Sequence, residues 1–182
     1  ITGGNRGIGL ALVKYHLKKG HKVYTTYRKV EKSPELLDIR SQNLQILKID
    51  FLEEDALEKI DSFISKTPID ILINNASLFP YNVLNIDNID PKEWMNSFYV
   101  NAMFPTLLSN QLKKNLMSGH DKKIIFISSR RGSNYINALD NSTGRYGYRS
   151  TKAALNSCAL AISQDFFKDN ISVLILHPGR VA

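Results

Sequence analysis

Five near-continuous runs of Val, Ile, Leu and aromatic residues, separated by helical patterns, limit the fold of this chain more than any other feature. They are KVYTTY (22–27), LQILKID (44–50), IDILINNA (69–76), KIIFISS (123–129) and ISVLILHP (171–178). A strand with one wet face alternates apolar and polar residues, whereas a strand covered on both faces has no reason to alternate. Helical patterns fill the intervals at 8–19, 54–65, 91–117 and 148–167. Pro91 behind Asp90 suits a helix start. Pro105 lies inside the third stretch and predicts a kink or break near Asn101, because proline gives no N–H to the preceding turn. The opening ITGG reads as the end of one more strand. This βαβα order predicts an α/β fold: a doubly wound parallel sheet of the Rossmann type, in three layers α/β/α.

The 182 residues are 43% hydrophobic and contain no repeat or Gly/Pro-rich linker, so a single domain over 1–182 is expected. Ile1 at one end and HPGRVA at the other read as cuts in a longer chain. No apolar run approaches the ~18 residues of a membrane span. The single cysteine, Cys158, excludes an internal disulfide and fits a reducing, cytoplasmic compartment. It lies in the apolar run AALNSCALAI and reads as a structural thiol. The net charge of +7 favours an anionic partner. The lysines are scattered with no long basic run, which points to a small phosphate-bearing ligand and away from nucleic acid. The four histidines, His16, His21, His120 and His177, and the cysteine have no metal-ligand spacing.

Ligands of such sheets bind beyond the carboxyl ends of the strands, and the unusual polar residues of this chain fall there. Thr2-Gly3-Gly4, Arg28, Asp50, Asn74-Asn75-Ala76, Ser128-Ser129 and His177-Pro178-Gly179 end the six runs in turn. TGGNRGIG (2–9) follows a strand end and opens a helix. Its residues Gly3, Asn5, Arg6, Gly7, Ile8 and Gly9 are therefore candidates to cradle a pyrophosphate at a helix N-terminus. Arg28 stands nineteen residues after Gly9, where a carboxylate would bind the ribose 2′-hydroxyl of NAD. An arginine there, with Arg6 in the loop, suits a 2′-phosphate and predicts NADP(H). Asp50, with Phe51 beside it, is placed to accept from the adenine amino group. Asn75 and Ala76 are placed near a ribose, and Asn74 reads as a tie between strands.

GRYGYRSTKAALN (144–156) contains Tyr148 and, four residues on, Lys152. The same spacing recurs at Tyr15 and Lys19, but with no serine-ended strand leading to it. A tyrosine has a usual pKa near ~10 and needs a neighbouring cation to act as an acid or base at neutral pH. On a helix, Lys152 projects from the same face one turn away.

Together and in order, TGGNRGIG, NNA, Asn101, ISS, YRSTK and HPG resemble the short-chain dehydrogenase/reductase superfamily over essentially the whole chain. GNRGIG, ISSRRGS and GYRSTKAALN are most similar to its C-factor-like and sniffer-like carbonyl reductases. The resemblance implies an NADPH-dependent reductase acting on a small ketone or aldehyde. Tyr148 would be the proton donor, Lys152 its activator and a ligand of the nicotinamide ribose, and Ser129 a donor to the substrate oxygen. Asn101 would hold a proton-relay water. Pro178 and Gly179 would join the cofactor site, and assembly would give a homodimer or homotetramer. The superfamily pattern also implies a last strand and substrate-covering helices after Ala182.

Two departures bear on substrate. Ser77, with Phe79 and Pro80 after it, is reminiscent of the pteridine-reductase branch, and Arg180 stands where carbonyl reductases commonly have an aromatic. A pteridine reductase and a catalytically weak NADP-binding regulatory protein are the alternatives. The segment GSNYINALDNSTGRYG (132–147) reads as a loop near the site, with Tyr135 and Tyr146 as candidate pocket residues.

Overall fold

The apolar runs form five parallel strands in a computed structural model that describes residues 1–141 and 143–179. They are β1 (Val23–Tyr27), β2 (Leu44–Lys48), β3 (Ile71–Asn74), β4 (Lys123–Ile127) and β5 (Ser172–Leu176). The helices are α1 (Gly7–Lys18), α2 (Pro34–Leu37), α3 (Ala56–Ile64), α4 (Pro91–Phe98), α5 (Phe104–Gln111), α6 (Lys113–Ser118), α7 (Asn134–Leu139) and α8 (Tyr146–Asp165). β1 pairs with β2, and β3, β4 and β5 pair in that order, all parallel.

Residues 1–4 lie between the two groups. The Ile1 amino group donates to Tyr24 O at 2.8 Å, Thr2 N to Ile73 O at 2.9 Å and Gly4 N to Thr26 O at 3.0 Å. The spatial order is β2-β1-(1–4)-β3-β4-β5, the doubly wound arrangement expected. The opening residues, however, bridge their neighbours by single bonds and do not form a laddered strand. Gly3 turns the chain there with a φ of +67°, out of the extended region.

Successive strand residues point to opposite faces, and the core divides accordingly. Val23 and Leu44 pack with Leu10, Val13 and Leu36 under α1 and α2. Tyr24 and Leu47 join the larger cluster, which holds Ile60 of α3, Leu108 of α5, Leu155 and Ile162 of α8, and Leu112 between α5 and α6. Among the described residues, no helix is long and apolar enough to cross a membrane.

The stretch expected as one helix over 91–117 is divided. α4 runs into a π turn, Tyr99–Met103, before α5 and α6. In an uninterrupted helix the N–H of residue 105 would bond the carbonyl of Asn101. Proline has none, so the chain widens there. The start is firmer: Asp90 accepts from Lys92 N and Glu93 N at 2.9 and 3.2 Å, a cap that contributes about 1 kcal/mol.

The segment expected as a loop, 132–147, is also partly helical: it holds α7, and a 3-10 turn, Arg130–Gly132, leads into it. Serines act as caps here: Ser129 Oγ accepts from Arg131 N and Ser133 Oγ from Ile136 N. Asp140 then pairs with Arg130 at 2.8 Å and Arg131 at 3.5 Å. Composition signals Ser and Asn equally for loops and for helix starts. Arg180 lies outside the described residues.

Candidate active site

A cleft of about 460 Å³ opens where the glycine loop meets the ends of β1 and β3. Gly3, Asn5, Arg6, Gly7, Ile8, Gly9, Arg28, Asp50, Phe51, Asn75 and Ala76 all line it, so the structure brings this whole predicted set together. The loop is held by crossed bonds. Gly3 N donates to Thr26 Oγ1 at 3.0 Å, and Asn75 N and Ala76 N both donate to Thr2 Oγ1 at 3.0 Å. The glycines are needed for space as well as for conformation. A Cβ on Gly9 would lie 2.1 Å from Gly3 O. Gly7, with a φ of +52°, has nothing within 4 Å of that position and faces the open cleft.

The Asn75 amide nitrogen donates to Thr2 O at 2.9 Å and Gly3 O at 3.0 Å, so this side chain fastens β3 to the loop from within the lining of the cleft. Asn74 reaches Ser109 Oγ on α5 at 3.4 Å and ties strand to helix, not strand to strand. Asn5 Nδ2 donates to Lys32 O at 2.9 Å. Asp50 accepts from Leu52 N at 3.1 Å and stands 3.8 Å from Arg28 Nη1.

Lys29 and Lys32 also line the cleft. Only their closeness in sequence to Arg28 signalled them. Among the described residues the lining thus carries Arg6, Arg28, Lys29 and Lys32 against the one carboxylate of Asp50. With the amide-rich N-terminus of α1, which has no acidic residue in its first turn, this surface suits a ligand bearing several phosphate charges.

The chemical end is built by α8 against β4. Tyr148 and Lys152 lie one turn apart, and Lys152 Nζ is 5.8 Å from the Tyr148 ring centroid. Lys152 is almost fully buried and donates to Ile127 O at 2.9 Å. Burial pushes its ammonium down from 10.5 to about 8. Ser128 Oγ donates to Asn156 Oδ1 at 2.6 Å, Ser129 Oγ accepts from Arg131 N at 3.2 Å, and alternation along extended backbone aims the two side chains apart. The Phe79 ring lies 5.2 Å from that of Tyr148 and 5.0 Å from that of Tyr81.

Asn101 sits in the π turn, fully buried. Its Nδ2 donates to Leu78 O at 2.8 Å and Thr151 Oγ1 at 3.1 Å, and its Oδ1 accepts from Leu78 N at 2.7 Å. The side chain therefore clamps the segment after β3 to α8. A cavity of about 10 Å³, the size of one water, is bounded by Asn74, Asn101, Ile127 and Lys152. Phe51, Ala76 and Val100 line both this cavity and the cleft, so the two ends of the site adjoin.

Pro178 and Gly179 follow β5 but do not line the cleft. Tyr135 and Tyr146 are exposed. His16 is half-buried, with Nδ1 3.0 Å from that of His21. Tyr15 is exposed on α1, away from this site. Among the described residues, no three His, Cys, Asp or Glu side chains are grouped to hold a metal. A larger cavity of about 570 Å³ lies between β1 and β3 beside Ile1, where the sheet is not laddered; His16 and His21 line it, and it shares only Thr26 with the cleft.

The family model for short chain dehydrogenases matches residues 1–182. An uncharacterized oxidoreductase of Saccharomyces cerevisiae is 34% identical over 197 residues, covering all of this chain and 73% of that protein. Among solved structures, the carbonyl reductase Sniffer of Drosophila melanogaster superposes with a TM-score of 0.84 at 30% identity, over 98% of this chain and 78% of its own. A carbonyl reductase of Pseudomonas aeruginosa in complex with NADP does so with a TM-score of 0.85 at 31% identity, over 100% of this chain and 81% of its own.

Proposed function

Because this chain belongs to the short-chain dehydrogenase family, and is an oxidoreductase on that ground, we propose that it reduces a ketone or aldehyde carbonyl with NADPH, with Tyr148 as proton donor. The observation that carries the reading is the buried Lys152 ammonium, one helical turn from Tyr148 and bonded to the end of the strand that bears Ser129.

The cleft fits NADP(H): the space over Gly7 would take a pyrophosphate, and Arg28, Arg6 and Lys29 in the lining would hold a 2′-phosphate. When bound, the nicotinamide supplies hydride. Tyr148 gives its phenolic proton to the substrate oxygen. Lys152, held by Ile127 O, keeps positive charge beside the resulting phenolate, and Ser129 donates to the oxygen as negative charge grows on it. The small cavity beside Lys152 suits a single relay water, held from Asn101 by its main-chain carbonyl, which Pro105 cannot bond. Met95, Met103 and Leu107 stand exposed along α4, the π turn and α5, which supports assembly of copies through that face. The lone cysteine supports a cytoplasmic location.

Phe79, so close to Tyr148, favours a second reading in which the substrate is a flat dihydropteridine. NADPH consumption with a panel of simple carbonyls and a dihydropteridine decides between them. Turnover of the pteridine alone selects the second reading, and consumption with neither leaves an NADP-binding regulatory protein.

Arg28→Ala is expected to weaken NADPH binding by roughly 10- to 100-fold, the worth of a charge-assisted pair, and to leave NADH binding unchanged. Fluorescence titration with both nucleotides checks this, and equal losses would refute the 2′-phosphate assignment.

The pH dependence has a definite sign. The Lys152 ammonium is present below about 8 and is lost above it, so the reduction rate should fall as pH rises through that value. Stability should move the other way. The unfolded lysine keeps its proton up to 10.5, so Lys152 makes the fold more stable as pH rises between the two values. Rate profiles and chemical denaturation of wild type and Lys152→Met test both slopes, each of which the variant should lack.

A further inference from the structure

Asn156, the last residue of GRYGYRSTKAALN, has no place in the chemistry above, yet it is bonded on both sides. It lies one turn beyond Lys152, as Lys152 lies one turn beyond Tyr148, so all three project from one face of α8 toward the end of β4. Its Oδ1 accepts from Ser128 Oγ at 2.6 Å, and its Nδ2 donates to Gly132 O at 3.3 Å.

These two partners bracket Ser129. Ser128 precedes it and is buried. Gly132 closes the turn that Ser129 begins, donating its N–H to Ser129 O at 2.9 Å. The turn lies directly on the helix, since a Cβ on Gly132 would come within 2.7 Å of both Lys152 O and Asn156 Nδ2. One side chain with a donor and an acceptor thus holds both flanks of the serine against the helix that carries Tyr148 and Lys152. Alternation along the chain then turns the Ser129 hydroxyl away from the anchored Ser128.

We propose that Asn156 is a positioning residue that sets Ser129 at its working distance from Tyr148. The inference rests on the reading of Ser129 as donor to the substrate oxygen. Asparagine suits the task because its amide offers both bonds on a short side chain: leucine offers neither, and aspartate lacks the donor for Gly132.

The test measures kcat, KM and NADPH dissociation in the intact protein for Asn156→Ala and Ser128→Ala, each made with Ser129 present and in a Ser129→Ala background. With Ser129 present, either change should lower kcat/KM for the carbonyl by roughly ten- to a hundredfold and leave NADPH dissociation within about twofold. In the Ser129→Ala background neither should lower it further. Unchanged kcat/KM, or an equal fractional loss in both backgrounds, would overturn the proposal. Ser128→Ala removes the 2.6 Å bond without altering α8 and carries the test by itself if Asn156→Ala does not fold. If Ser129→Ala alone retains full activity, the reading of Ser129 fails and this inference with it. If Ser129→Ala is inactive but the losses multiply, only the positioning role of Asn156 fails.

Discussion

Tyr148→Phe is expected to lower kcat for carbonyl reduction by roughly 10²–10⁴-fold, the range of a lost general acid. The substitution removes one oxygen and keeps the ring, whose contacts with Phe79 and proximity to Lys152 are those of an aromatic face. NADPH should still bind, because the cleft around Gly3 to Gly9 and Arg28 does not include this hydroxyl. Steady-state rates with a carbonyl substrate, set beside NADPH titration of the same protein, give the answer. A variant that turns over like wild type would remove Tyr148 from the mechanism. A variant that binds no NADPH would show that its loss was not specific to proton transfer.

Gly9→Ala should be the most damaging single-methyl change in the cofactor cleft. The added carbon would sit 2.1 Å from Gly3 O and 2.6 Å from Asn75 Nδ2. The first neighbour is backbone, and the second is the amide that fastens β3 to the loop, so neither can withdraw without opening the cradle. Overpacking of this kind costs about 1–3 kcal/mol, and NADPH affinity should fall by at least about tenfold as the loop shifts. Gly20→Ala is the control. It has a φ of +80° but nothing within 4 Å of its Cβ position, so it should cost about 1 kcal/mol of backbone strain and leave NADPH binding alone. Thermal melts and nucleotide titrations of the two variants separate crowding from strain. Equal effects on binding would show that the close approach of Gly9 to Gly3 is not what shapes the site.

Particular residues show why some of this was legible in the sequence. The apolar runs announced β1 to β5 because covering a strand on both faces leaves a mark on every residue of it. Pro105 announced the break at Asn101 because its missing N–H is a covalent fact. The glycine loop, Arg28 and the Tyr148–Lys152 pair were legible because each needs only neighbours along the chain or a strand end beside it. The bonds that no local pattern reveals have the opposite property. Asn75 bonds Thr2 and Gly3 across 73 and 72 residues, and Asn101 bonds Leu78 across 23 and Thr151 across 50. An asparagine reads the same in sequence whether its amide serves a ligand or a distant loop. Helix α7 was taken for a loop because Ser129 and Ser133 cap turns whose packing on α8 no local pattern reveals.

The order of strands and helices, the glycine loop and the residue types at the candidate chemical end belong to the sequence itself, because periodicity, proline and glycine act within a few residues. The tertiary structure alone decided which polar atoms remain for chemistry: it committed Asn75 and Asn101 to clamps, brought Lys29 and Lys32 to the cleft, and set Asn156 behind Ser129. A buried polar group must be paired wherever the fold leaves it, at a cost of several kcal/mol otherwise, and only the assembled fold determines which partners are within reach.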